Sequence, residues 1–423
     1  MLPQREFRSS CLPRGTFLSR VASASNQGLS NAKKAKQDEF YTQYVDIQKE
    51  VEAYLEFDPD TFRGKVVYCN CDDPFESNFF KYFAASFNKL GLKRLISTSY
   101  DGSPIAGQAT LFPEYNEGNG KRKKPKALAV ILDHVRDEDG DGAANITDVE
   151  LFLKRNKAAR TALKGDDIYP GGDFRSPECI ALLKSADIVV TNPPFSLFRE
   201  FVAQLVKYRR KFLILGNQNA ITYKEVFPLI RENKLWLGVD NGGTKWFQVK
   251  DDYDIKTESR KKTVSGTKYF SMGSVMWFTN LDHGRRHQKL PLMTMEDNLR
   301  FSKHKEINGK VGYDRYDNYD AIEIPFTDAI PNNYDGVMGV PITFLDKYNP
   351  EQFEIVGTTE SNDPDNYARK RVYTSQECRE AYERIFGKEG IYDLNASGVV
   401  AGTKVYKRVL IRHRTQPAIG KKK

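Results

Sequence analysis

From Lys65 to Thr279 the chain alternates short apolar runs with amphipathic stretches of helical period, and this alternation restricts the fold more than any other feature. Lys65–Cys71, Lys93–Ser99, Ala186–Thr191, Lys211–Gly216 and Leu235–Val239 read as buried strands. Between them, Ser77–Leu90 sets Phe79, Phe80, Phe83 and Phe87 on one helical face. Ser176–Ser185, Ser196–Tyr208 and Ile221–Asn233 follow the same period, and Ser274–Thr279 is a late strand suited to an antiparallel place at the sheet end. Apolar strands separated by helices predict an α/β fold with an open, mostly parallel, doubly wound sheet covered on both faces. Such folds bind ligands beyond the carboxyl ends of their strands, where the topology switches. The loops after Cys71, Ser99 and Thr191 are therefore where chemistry is expected.

The flanks differ in character. Met1–Lys36 sets Arg5, Arg8, Arg14, Arg20, Lys33, Lys34 and Lys36 against the single acid Glu6. It reads as a disordered basic arm or an early start codon, although Arg/Ser-rich starts also resemble transit peptides. Residues 37–280 form the α/β domain, with an insertion at about 118–167. Residues 281–423 lose the alternation, become rich in Tyr, Asn, Asp and Pro, and read as an irregular α+β region. The net charge of +9 favours a polyanionic partner. No apolar run is long enough to span a bilayer, so no membrane association is expected. Five scattered cysteines offer neither a disulfide framework nor paired zinc knuckles, which fits a reducing cytoplasm.

Thr191-Asn192-Pro193-Pro194-Phe195 is the most informative segment, because it follows a buried strand and precedes a helix. The Asn192 side-chain oxygen and the Pro193 carbonyl can both accept hydrogen bonds from one amino group. That aims the nitrogen lone pair at an incoming methyl group and stabilises the charge developing on nitrogen. Two prolines lock the turn, and Phe195 offers a stacking face to an extruded base. An incidental Pro-Pro turn is the bland alternative, and the strand–helix context argues against it. Asp72-Asp73-Pro74, after the first strand, places acids near the start of a helix. That suits a zwitterionic amino-acid moiety such as that of S-adenosylmethionine, but equally a helix cap with solvated acids. Gly172-Asp173-Phe174-Arg175 likewise admits two readings: Asp173 and Phe174 meeting an adenine, or an N-cap region. Cys69 and Cys71 read as packing residues.

Asp137–Asp148 spaces its oxygen-bearing residues like a calcium loop, with Asp137, Asp139, Asp141, Asn145 and Asp148 as candidate ligands and Gly142 at the sharp turn. Asp148 stands where the usual ligand is Glu, so any Ca²⁺ site would be weak. A solvated acidic turn fits equally well.

Lys36–Gln43, Val66–Pro74, Gly172–Ser176, Asp187–Glu200, Ile221–Phe227 and Gly336–Leu345 together resemble the EcoRI-type adenine-specific DNA methyltransferases. That family has the Rossmann-like class I S-adenosylmethionine-dependent fold. The resemblance runs from about Asn31 to Arg414, interrupted around Gly118–Asp167. It implies a site-specific adenine-N6 methyltransferase that flips its target from double-stranded DNA, as part of a restriction-modification system or as an orphan enzyme. It implies Asn192, Pro193, Pro194 and Phe195 at the reacting amine, with Phe40, Tyr41 and Thr42 covering S-adenosyl-L-methionine. Asp72 and Asp73 would lie near the cofactor's methionine part, and Asp173 and Phe174 would line its adenine. Asp101 is the only near candidate for the ribose. Target recognition would fall in 281–423. The resemblance further implies a cytoplasmic bacterial or phage-encoded monomer, whose cognate endonuclease would act on the same site without touching it. The glycines of a standard nucleotide loop are missing, and the acidic loop is extra. Rival readings are a methyltransferase for glutamine, guanine or RNA adenine, and a catalytically silent DNA-binding module. A cytosine carbon-5 enzyme is disfavoured, because no cysteine stands beside proline as its nucleophile would.

Overall fold

The computed structural model describes residues 42–74, 77–100, 127–142, 144–156, 159–249, 257–273, 275–360 and 366–414. The basic arm, Phe40, Tyr41 and Asp101 lie outside the described residues. The central sheet has eight strands: β1 (Val66–Cys69), β2 (Arg94–Thr98), β3 (Leu128–Leu132), β4 (Arg160–Ala162), β5 (Ile188–Thr191), β6 (Lys211–Asn217), β7 (Trp236–Leu237) and β8 (Val275–Thr279). Their spatial order is β4-β3-β2-β1-β5-β6-β8-β7. The centre, β2-β1-β5-β6, is parallel throughout, whereas β3 and β8 run against their neighbours. The mostly parallel α/β sheet expected from the sequence is therefore present, with its reversed strands toward the edges. From β1 the chain builds first to one side, through β2, and later to the other, through β5. This opens a crevice at the carboxyl end of β1.

Side-chain alternation assigns the two faces. Val66, Tyr68, Val189, Phe212, Ile214, Met276 and Phe278 point to one cluster; Val67, Cys69, Ile188, Val190, Leu213, Leu215 and Trp277 point to the other. The second face is covered by α1 (Tyr44–Phe57), α2 (Asn78–Ala85) and α3 (Ile146–Arg155). The first is covered by α4 (Pro177–Ser185), α5 (Phe198–Lys207) and α6 (Phe227–Arg231). The helix expected over Ile221–Asn233 is broken into a 3-10 turn, Gln218–Thr222, and the short α6. Pro228 opens α6, as its missing N–H and fixed φ allow only in the first turn of a helix. The stretch expected as an insertion contributes β3 and β4 to the sheet.

Beyond Thr279 a second sheet forms from β9 (Ala321–Glu323), β10 (Val337–Pro341), β11 (Phe353–Thr358) and β12 (Arg408–His413), in the order β9-β10-β12-β11. With helix α7 (Ser375–Phe386) it gives the later part of the chain an α+β character. Ile322, Met338, Val340, Phe353 and Ile411 join the same apolar cluster as Phe227, Ile230 and Leu237 of the central unit. The two parts therefore share one core across residue 280. Within the second sheet, Glu323 accepts from buried Arg408 (Nε to Oε1, 2.9 Å) and from the Tyr316 hydroxyl.

Glu50 on α1 is wholly buried. Its carboxylate accepts from the Val239 amide at 2.9 and 3.0 Å and from the Asp240 amide at 2.6 Å, tying α1 to the segment after β7. Burial pushes its pKa up from 4.5 to about 7, against the downward pull of those amides. A carboxyl raised on folding contributes stability below its unfolded value, and this is lost as pH rises to the folded one. Wild-type stability is thus expected to fall between about pH 4.5 and 7 by on the order of 2–3 kcal/mol more than that of Glu50→Gln. Denaturant titrations of both proteins across this window check it. Parallel curves would place the titration elsewhere.

Candidate active site

At the carboxyl edge β1 ends in Cys69, Asn70 is nearly fully buried, and Cys71 adopts φ 63°. A non-glycine residue rarely adopts that left-handed backbone, and here it makes the sharp turn that glycine makes in standard nucleotide loops. A hydroxyl network fixes the turn from both sides. Ser97 donates to the Asp72 carbonyl at 2.6 Å, and Thr98 donates to Asn70 Oδ1 at 3.2 Å. Thr191, the last residue of β5, donates through its hydroxyl to the Asn70 carbonyl. The three central strands thus meet at Asn70 and Asp72. Ser97, Thr98 and Asn70 were not singled out from the sequence, although a Ser-Thr-Ser run closing a buried strand was the available signal.

Asp72 is buried, and its Oδ1 accepts from Ser77 Oγ at 2.8 Å. Ser77 caps α2 by accepting from the Phe79 amide at 3.1 Å, so capping and acidic loop are one assembly. The Asp73 carbonyl accepts from the Ser77 amide at 2.8 Å. Thr42 is buried against this assembly, its carbonyl accepting from Asn78 Nδ2 at 2.7 Å. Thr42 Oγ1 and Asn70 Nδ2 are buried with no hydrogen-bond partner among the described residues. Buried polar atoms are normally satisfied, so a hydroxyl and an amide donor left over at this edge fit a polar ligand laid across it. Cys69 is fully buried, which pushes its thiol well up and leaves it a packing residue.

Gly171 and Gly172 bring the next loop against the same edge. A Cβ on Gly172 would fall 1.9 Å from the Ser99 carbonyl oxygen, and one on Gly171 would fall 2.3 Å from the Leu163 oxygen. Asp173 follows, 5% exposed. Arg175 holds it through Nε to Oδ1 (2.9 Å) and Nη2 to Oδ2 (2.8 Å), with its own amide also on Oδ1 (2.9 Å). Three of about four acceptor positions are used, which leaves one on Oδ2. Phe174 is 2% exposed and packs edge-to-face on Phe201, with ring centres 5.0 Å apart, so its ring is spent in the core.

Asn192 and Pro193 follow β5 directly, and Pro194 leads into the 3-10 turn Phe195–Leu197. The Pro194 carbonyl accepts from the Leu197 amide at 2.9 Å. Phe195 is 7% exposed and belongs to the cluster of Phe79, Val275 and Trp277, so most of its ring anchors the turn. The sequence-predicted residues Thr42, Asp72, Asp73, Asp173 and Asn192 thus line one edge around the β1 crevice.

The acidic loop lies apart from this edge, leading into α3. Asp137, Asp139 and Asp141 bring carboxylate oxygens within 4.8 Å of one another, all exposed. Asp148 does not join them. Its Oδ1 accepts from the Glu138 and Asp139 amides (2.6 and 3.1 Å) and its Oδ2 from the Asn145 amide (2.7 Å). The Asn145 side chain accepts from the Thr147 amide at 2.8 Å, completing a capping box for α3. These amides hold the Asp148 carboxyl below its usual range. Asp148 and Asn145, expected from the sequence as candidate metal ligands, here accept from backbone amides of the loop and the start of α3, and Asp148 stays outside the Asp137, Asp139 and Asp141 cluster.

A mostly parallel α/β sheet carrying an Asn-Pro-Pro-Phe turn beside the β1 crevice is the arrangement expected of an amino-group methyltransferase. Residues 28–414 match the family model described as adenine-specific methyltransferase EcoRI. The chain is 46% identical over 340 residues to the type II methyltransferase M.EcoRI of Escherichia coli, covering 79% of this chain and 89% of that protein. It is 36% identical to M.MgeORF184P of Mycoplasma genitalium and 35% to M.MpnI of Mycoplasma pneumoniae, each over 77% of this chain and 84% of the relative. No solved structure matches. The chain belongs to the EcoRI-type adenine-specific DNA methyltransferases, and as a methyltransferase it uses S-adenosylmethionine. Among the described residues, no helix is long and apolar enough to cross a membrane.

Proposed function

We propose that the protein transfers a methyl group to the N6 nitrogen of an adenine flipped out of double-stranded DNA, at a specific site. The observation that carries this reading is the Asn192–Phe195 turn, held at the carboxyl end of β5 beside the β1 crevice. S-adenosylmethionine supplies an electrophilic methyl when bound. Thr42, Asn70, Asp72 and Asp73 would hold its amino-acid part, and the remaining acceptor on Asp173 would take its adenine amino group. Asn192 Oδ1 and the Pro193 carbonyl would accept from the target amine and keep its lone pair aimed at the methyl. Acceptors fixed before reaction need no reorganisation as positive charge grows on nitrogen. Phe195 would border the base with its remaining exposed edge. Base readout falls to the region after residue 280, in a monomer acting in the cytoplasm. Any cognate endonuclease would meet the same sequence independently.

Transfer of radiolabelled methyl to duplex DNA, with RNA and protein as competing acceptors, tests this reading. Base-resolution mapping should then find N6-methyladenine in one short motif. Label appearing only in RNA or protein would overturn it.

The acidic loop serves this reading as a helix cap. With Asp137 already accepting from the Gly140 and Gly142 amides and Asp139 from the Asp141 amide, Ca²⁺ would bind weakly and add stability by linkage alone. Calorimetry and melting at millimolar Ca²⁺, on wild type and Asp137→Ala/Asp139→Ala, are expected to show at most a weak site. Methylation is expected to persist in chelator, and its loss there would make the metal functional.

A further inference from the structure

We propose that the lysine-rich hairpin Lys261–Phe270 grips the phosphate backbone of duplex DNA beside the target adenine, a role that rests on the DNA methyltransferase reading above. The hairpin stands on the catalytic edge of the sheet. Strand β8 enters from that edge, with Val275 opposite Asn217, the last residue of β6. The segment joining β7 to β8 therefore projects from the side where β1 and β5 end.

Within that segment Lys261–Val264 pairs antiparallel with Thr267–Phe270, and Phe247–Gln248 adds a third short strand. Ser265 (φ 48°) and Gly266 (φ 80°) close the hairpin with two left-handed residues, a turn whose twist matches that of the strands. Its root is fixed: Phe247 is buried, and Phe270 and Met272 pack partly buried against the cluster that contains Phe195 and Val275. One core thus carries both the target-amine turn and the hairpin.

The outer strand faces solvent, with Lys261, Lys262, Thr263 and Val264 all exposed. Over the described residues 257–273 the charged side chains are Glu258, Arg260, Lys261, Lys262 and Lys268, a strong positive excess. Lys261 lies 3.1 Å from Glu258, an exposed pair that a phosphate can displace. The Lys262 ammonium sits over the Trp246 ring at 4.6 Å and 5.5 Å from the Tyr269 ring, which fixes a cation on the ribbon's surface. A charge run is usually just a solvated face. Here the charge is mostly positive, four basic side chains against Glu258, partly held by aromatic rings, and mounted on the core that carries the Asn192–Phe195 turn.

A two-stranded ribbon fits the width of a B-DNA groove. Lysines act as point charges, suited to phosphates and without the forked geometry that reads guanine. The hairpin therefore contributes affinity and placement, leaving sequence choice to other residues.

The test measures binding of short duplexes, one carrying the mapped target and one scrambled, to the full chain across a salt series. Lys261→Ala/Lys262→Ala is expected to weaken both duplexes by about tenfold at moderate salt. The slope of log affinity against log salt should fall by about two, as for two lost phosphate contacts. Lys261→Arg/Lys262→Arg should restore both quantities, whereas a purely structural role would not follow charge. Cofactor affinity and melting temperature serve as folding controls. A double alanine variant that keeps the wild-type slope, in a protein that methylates duplex DNA, overturns the hairpin's role alone. A wild-type protein that neither binds nor methylates duplex DNA overturns the methyltransferase reading with it.

Discussion

Asn192→Ala is expected to lower the single-turnover rate of methyl transfer by roughly a hundredfold or more, the usual cost of removing one charge-stabilising partner. Cofactor affinity should stay close to wild type. Asn192 follows Thr191, whose hydroxyl pins the end of β5 to the Asn70 carbonyl of β1. Pro193 and Pro194 hold the turn whatever the side chain at 192, so alanine removes an acceptor without unlocking the loop. Asn192→Asp keeps acceptor oxygens at that place and should recover part of the rate. Single-turnover assays with radiolabelled cofactor, paired with calorimetric cofactor titration, separate chemistry from binding. A near-wild-type rate in the alanine variant would remove Asn192 from the target amine. A lost cofactor site would move it to the other ligand.

Gly172→Ala is expected to raise the cofactor dissociation constant at least tenfold and to lower the melting temperature. Two costs coincide there. Gly172 has φ 78°, a region that charges an L-residue about 1–2 kcal/mol. The added Cβ would also sit 1.9 Å from the Ser99 carbonyl oxygen, a backbone atom that cannot rotate away. The loop must therefore retreat from the end of β2 and carry Asp173 with it. The whole effect on folding is expected at about 2–4 kcal/mol. Thermal melts and cofactor titration on the purified variant measure both parts. A folded variant with unchanged cofactor affinity would show that the Asp173 loop does not touch the cofactor.

Strands β1, β5 and β6 of the parallel centre were legible because each carries an uninterrupted apolar run, buried on both faces, whereas β2 offers only Leu95 and Ile96. Ala186–Thr191 needed no partner to be recognised. The Asn192–Phe195 turn was legible for a different reason: asparagine, two prolines and phenylalanine in a row are a rare combination at that place in a strand–helix unit. The glycines expected for a nucleotide loop were missing from the sequence, and the structure supplies the turn through Cys71 in a left-handed conformation. No local rule predicts that, since cysteine has no preference for such a backbone and the surrounding hydroxyl network must impose it.

Burial redirected several side chains that sequence alone could only place near the site. Phe174 and Phe195 were expected to offer ring faces, yet both are mostly enclosed, because the core beside each loop had room for an aromatic. Asp173 was expected to be available, yet Arg175 claims most of its acceptor positions. Asp148 was a candidate metal ligand, yet the amides at the start of α3 reached it first. These outcomes depend on which donors lie within about 3 Å, which spacing along a chain does not encode.

The sequence by itself determined the layered α/β architecture, the place of the Asn192–Phe195 turn and the family, because periodicity and rare residue combinations are local properties. The tertiary structure alone decided which polar atoms meet at Asn70 and Asp72, and that β3 and β4 complete the sheet. It also decided that the regions before and after residue 280 share one core, and that the exposed lysines of 261–262 stand on the edge where β1 and β5 end. Each of these is a contact between segments far apart in the chain. Such contacts are selected by the joint packing of the whole core, not by the preferences of any one segment.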